Sequence, residues 1–184
     1  GFTQWGAAGL AVACAEENTR DSIFKAFKRK ETFATTGTRL AVRFFAGYDL
    51  SSIDLNSDSL VSEAYAKGVT MGADLLHNGT KIPEFIVWAQ KDKNGAPLQR
   101  VQIVKGWIDS NSGRPEEKVY DVACSDGNEV DPVTNRCPDN GARVNISDCS
   151  ITDNVGSSEL KTLWKDPEFS HNDKSFYYVR VLEN

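Results

Sequence analysis

Four cysteines and two histidines carry most of the metal-binding and nucleophilic potential of this 184-residue sequence. Cys124, Cys137 and Cys149 follow one another at intervals of 13 and 12 residues in a stretch rich in Gly, Asn, Asp and Pro. Thiolate zinc sites pair their cysteines roughly two to four residues apart, and no such pair occurs. The cluster therefore predicts a disulfide among these three, worth about 3 kcal/mol if it closes a loop of that length, and with it an oxidising compartment. Spacing leaves the connectivity open. Cys14 is the odd one out: it follows the apolar run Gly9–Ala13 and reads as a buried, inert thiol, because no histidine lies in its segment to activate it. His77, in Leu76-His77-Asn78-Gly79, and His171, in Ser170-His171-Asn172-Asp173, each read as a solvated loop residue. Two histidines cannot build a multi-histidine centre, so no metal ligand is assigned in the chain, and no cofactor. A nucleophile elbow, a phosphate loop and a dinucleotide glycine fingerprint are absent.

The densest polar group is Glu16, Glu17, Asn18 and Arg20, beside an apolar strand. Carboxylates and an arginine at a strand-to-helix junction can edge an active site; the competing account is helix capping by Asn18 or Thr19 with acidic residues near the helix start. Trp88, Trp107, Trp164, Phe85, Tyr120 and Tyr178 could stack on sugars, although aromatic residues more often fill a sandwich core. Asn78-Gly79-Thr80 and Asn145-Ile146-Ser147 are glycosylation sequons of little weight without the host.

These groups must be positioned by a mainly β chain. The first part reads as strand, helix and strand, with a helix over about 20–29 bearing Ile23, Phe24 and Phe27 on one face and Lys28, Arg29 and Lys30 at its end. It amounts to a βαβ fragment. Strand texture follows in Leu40–Phe45, and a short helix is predicted from Asp58 to Lys67, with Leu60, Val61, Ala64 and Tyr65 inward and Gly68 as its stop. Phe85–Trp88 and Val101–Val104 flank Lys93-Asn94-Gly95-Ala96, which predicts a hairpin. Strands are also expected in 118–123, 143–146, 160–164 and 176–182. Several short strands, turn-rich loops and one brief helix indicate an immunoglobulin-like β-sandwich over 39–184.

Composition sets the outer bounds. Apolar residues make up 40% and charged residues 26%, which is ordinary globular usage and excludes disorder and collagen-like structure. A net charge of −5 with scattered basic residues argues against a nucleic-acid surface. No run is long enough for a membrane span, and the segment from Gly6 to Ala15 is too short and lacks the basic flank of a signal peptide. The chain starts at Gly1 and its one methionine is Met71, so a processed product or fragment is expected.

Several stretches resemble one family. They are Gly9–Phe24, Arg29–Gly37, Arg39–Gly47, Tyr65–Val69 with Met71-Gly72, Val101–Trp107, Asp166–Phe169 and Phe176–Glu183. Together these look like the carboxyl-terminal part of the bacterial family called domain of unknown function 3604, and the likeness covers nearly the whole chain. Cys14 departs from it, standing where a tryptophan is usual, and 124–149 is a variable insertion. The family resembles PHP-type metal-dependent hydrolases, whose distorted α/β barrel holds divalent metals such as Mn or Zn to activate water against an ester. The resemblance implies that 1–38 is the closing strand-helix-strand of such a barrel and that 39–184 is an appended sandwich. It further implies that the metal ligands lie in an upstream barrel of the same protein, that Glu16, Glu17 and Arg20 border the site without performing the chemistry, and that this chain alone is inactive. The full protein would be a periplasmic or secreted hydrolase of a small ester, phosphoester or carbamate. The alternative expectation is a β-sandwich that binds a glycan, the cell envelope or a partner protein.

Overall fold

The computed structural model describes residues 9–152 and 154–184, so the start of the Gly6–Ala15 segment lies outside the described residues. Strand β1 (Leu10–Ala13), helix α1 (Arg20–Lys28) and strand β2 (Thr32–Thr35) come first. Thr19 caps α1, its hydroxyl accepting the Ser22 amide at 3.3 Å, while Lys25 and Lys28 complement the last turn. The order strand-helix-strand is as expected, but the pairing is not that of a βαβ unit. β1 and β2 run antiparallel, with Ala13 opposite Thr32 and Leu10 opposite Thr35. The chain leaves and re-enters the ribbon at the same end, where the Cys14 amide bonds to the Glu31 carbonyl at 3.0 Å. The helix is thus an excursion in a hairpin loop, since a parallel crossover must return to the opposite end.

The remainder is mainly β. β3 (Ala41–Gly47) leads through a 3-10 turn, Leu50–Ser52, to α2 (Leu60–Lys67) and β4 (Gly68–Thr70). β5 (Glu84–Gln90), β6 (Leu98–Ile108) and β7 (Pro115–Cys124) follow. Two-residue strands β8 (Val144–Asn145) and β9 (Ser150–Ile151) form a small ribbon, and β10 (Glu159–Lys165) and β11 (Lys174–Glu183) end the chain. The short α2 stops at Gly68 as expected, but by turning extended into β4: a Cβ there would sit 2.5 Å from the Ala46 carbonyl oxygen, so only glycine lets β4 reach β3.

Two larger sheets result, ordered β10-β5-β3-β4 and β11-β6-β7. The expected hairpin between Phe85–Trp88 and Val101–Val104 is overturned, because β5 and β6 belong to different sheets. The Asn94-Gly95 turn carries the chain from one to the other, with the Gly95 amide on the Asp92 carbonyl at 3.1 Å. Phe85, Val87 and Ala89 of β5 meet Val101 and Ile103 of β6 across one buried cluster, joined by Phe44, Tyr120 and Leu160. On its other face the four-stranded sheet turns Phe45 and Ile86 into a second cluster with Leu50, Ile53, Leu60 and Ala64. β5 is buried on both faces for this reason, and each large side chain so covered contributes about 1.5–3 kcal/mol.

Candidate functional site

Glu16, Glu17 and Arg20 all stand exposed on the turn before α1 and its first residue, and they line one shallow depression with Lys25 and Arg29. The Glu17 amide donates to the Ser22 hydroxyl at 3.1 Å, so the turn is organised as a helix start. Beside it, Glu31 was not singled out by sequence reasoning. It is 2% exposed, yet it joins three segments. Arg29 donates to its carboxylate from Nε and Nη2 at 3.4 and 3.2 Å, Arg43 of β3 approaches to 3.5 Å, and the Tyr65 hydroxyl of α2 donates to it as well. Burial and this bond to Glu31 push the Tyr65 phenol up to about 12. The cluster locks the β1-α1-β2 unit onto β3 and α2. Cys14 lies half-buried nearby with its thiol free and its pKa raised, chiefly by burial.

A second constellation sits where the chain between β10 and β11 crosses the end of the sheets. Lys105 and Asp166 are both buried and pair at 2.6 Å; Lys105 also donates to the Glu168 carbonyl at 2.8 Å. The Tyr177 hydroxyl donates to Asp166 at 2.7 Å and the Tyr120 hydroxyl to Glu168 at 2.9 Å, while Lys118 pairs with Glu168. Burial, reinforced by these carboxylates, raises the pKa of both phenols, and the Lys118 bond holds Glu168 below its ordinary range. The network pins 166–169 and so fixes where the next residues go.

Those residues include His171, and here the sequence expectation is corrected. His77 and His171 are exposed loop residues, as expected, but they are not separate: His77 Nε2 lies 3.2 Å from His171 Nδ1. The Phe169 ring packs edge-on against His171 with centroids 4.9 Å apart. The pair lies at a cavity of about 510 Å³ that is also lined by Tyr48, Asp74, Asp173 and Ser175. Nothing in local sequence signals the contact, since the partners are 94 residues apart.

A third feature is on the outer face of β11. Phe176 and Tyr178 are 61% and 44% exposed, with rings nearly parallel at 10° and centroids 6.4 Å apart. Gly106 lies opposite Phe176, and a Cβ there would run into the ring, so the glycine lets Phe176 lie down on the sheet. Tyr178 is the one of this pair expected to stack on sugars; of the other five, Phe85, Tyr120 and Trp164 pack in or against the main core, Trp88 packs against the second cluster, and Trp107 is half-buried with Lys105 Nζ 5.0 Å from its ring centroid.

Of the disulfide candidates, Cys124 and Cys137 are bonded, with Cα atoms 5.6 Å apart, and Cys149 is free and exposed. Among the described residues no three His, Cys, Asp or Glu side chains gather as a metal-binding group. These residues by themselves do not supply the donor set of a PHP-type multi-metal centre. No helix among them is long and apolar enough to cross a membrane.

Two sheets facing each other across one core, backed by a helical layer and entered through a helix-bearing ribbon, define a mainly β protein. Residues 2–184 match the family described as Protein of unknown function (DUF3604), and the chain belongs to that family. No curated protein and no solved structure matches it.

Proposed function

We propose that this chain is the carboxyl-terminal region of an exported PHP-like metal-dependent hydrolase, acting on a phosphoester or a related ester or carbamate. Its role is to complete and brace a catalytic body whose divalent ions, Mn or Zn, are held by residues upstream. One observation carries the reading. The β1-α1-β2 unit turns Leu10, Phe24 and Phe27 outward, with Phe24 66% exposed. A helix that is amphipathic but shows its apolar side to solvent needs an apolar cover. An upstream barrel of the same protein would supply it, with 1–38 as its closing piece and the Glu16, Glu17 and Arg20 turn at the edge of its site. Because β1 and β2 are antiparallel, only one of them can run parallel to a barrel neighbour. Residues 39–184 then form the immunoglobulin-like sandwich, and the Cys124–Cys137 bond favours a periplasmic or secreted location. The test is turnover of p-nitrophenyl phosphodiester and ester substrates with added Mn or Zn: none from the 184 residues alone, and turnover once the upstream region is attached.

The Phe176–Tyr178 pair favours a second reading, a glycan-binding accessory module, because two parallel exposed rings offer a flat platform for sugar faces. Soluble β-glucan and chitin oligosaccharides titrated against the chain should then bind saturably and lose binding on Tyr178→Ala. Absence of any saturable binding contradicts it.

A further inference from the structure

We propose that His77 and His171 form a two-histidine site for a borderline transition-metal ion, Cu²⁺, Ni²⁺ or Zn²⁺. The inference goes beyond the hydrolase reading and assigns the ion no part in hydrolysis. The chain holds only two histidines, and the fold brings both to one point from loops 94 residues apart. Their facing nitrogens are 3.2 Å apart. Metal–imidazole bonds of about 2.0–2.1 Å place two nitrogens on one ion about 2.9 Å apart at a right angle and about 3.3 Å apart at the tetrahedral angle. The observed spacing falls between these limits. Two neutral imidazoles sharing a proton have similar spacing, and the ion takes that proton's place.

The surroundings suit such an ion. The Lys105–Asp166 and Tyr120–Glu168 contacts hold the segment leading to His171, and Phe169 packs edge-on against its ring. Asp74 and Asp173 line the same cavity, where Asp173 Oδ1 accepts the Ser110 amide at 3.0 Å, and the two imidazoles are the protein ligands, with water completing the coordination. Imidazole donors in an open site favour copper over nickel and zinc.

The test uses the full chain, free of any affinity tag and carrying Cys149→Ser so that the exposed thiol does not compete. CuCl₂, NiCl₂ and ZnCl₂ are titrated calorimetrically at neutral pH, and the copper form is examined by electron paramagnetic resonance. One ion per chain is expected, with coupling to two imidazole nitrogens. His77→Ala and His171→Ala should each weaken binding at least about tenfold and remove one nitrogen from the spectrum. Both side chains are exposed, so circular dichroism of the variants should match the parent. No saturable binding, or binding that survives either substitution, overturns the proposal.

Discussion

Lys105 and Asp166 show how a single residue pair can govern distant geometry. Both charges are buried, so each is tolerated only while the other and its hydrogen-bonding partners stay in place. Removing one leaves an uncompensated charge in the core. Lys105→Met is expected to destabilise the chain by about 3–5 kcal/mol in urea unfolding, and a loss below about 1 kcal/mol would show that water or rearrangement already compensates the pair. Glu84 is the milder analogue. It is 4% exposed, and although burial works the other way, Lys165 and Ser51 together hold its carboxyl below the ordinary range. At this scale little was legible in advance. Lys105, Asp166 and His171 are ordinary residues in their own segments, and each acquires its role only from a partner tens of residues away; Glu31 has Arg29 beside it in sequence but draws Arg43 and Tyr65 from further along.

Elements were more legible than their neighbours in space. Both helices and most of the strands fall where apolar spacing and turn residues place them, because those signals are local. Pairing is decided otherwise. Phe85–Trp88 and Val101–Val104 read as a hairpin from the Asn-Gly between them, yet their apolar faces gain more by meeting across the core than side by side, and each strand finds other partners. The antiparallel β1-β2 ribbon has the same lesson: strand-helix-strand order does not fix direction. The cysteine region was correctly read as crosslinked, and the fold adds which pair bonds and what it holds. Cys137 donates its amide to the buried Asp121 carboxylate at 2.7 Å, so the Cys124–Cys137 bond ties this long loop to β7. Reduction should lower stability by about 2–4 kcal/mol in urea unfolding at constant pH. A change below about 1 kcal/mol would mean that the loop is held by Asp121 and its ion-pair partners Arg100 and Arg136, at 3.1 and 3.5 Å, alone.

At the scale of the whole molecule, the two sheets and their helical backing account for the buried core, and the buried carboxylates Glu31, Glu84, Asp121 and Asp166 are each paired with a cationic side chain. What remains open is at the periphery: the apolar face of α1, the Phe176–Tyr178 pair and the histidine pair. The first of these carries the account. The β1-α1-β2 unit buries Ala26 and Glu31 inward but leaves Phe24 and Phe27 outward, and the proposed upstream barrel would cover that face. The most direct measurement is hydrolytic turnover of the purified 184-residue chain, assayed with Mn or Zn beside the same chain continuous with its upstream region. Background rates are expected from the chain alone, whether or not an ion sits on the histidine pair, and metal-dependent turnover from the longer protein. Turnover by the isolated chain, or an inactive longer protein that binds its metals, would contradict it.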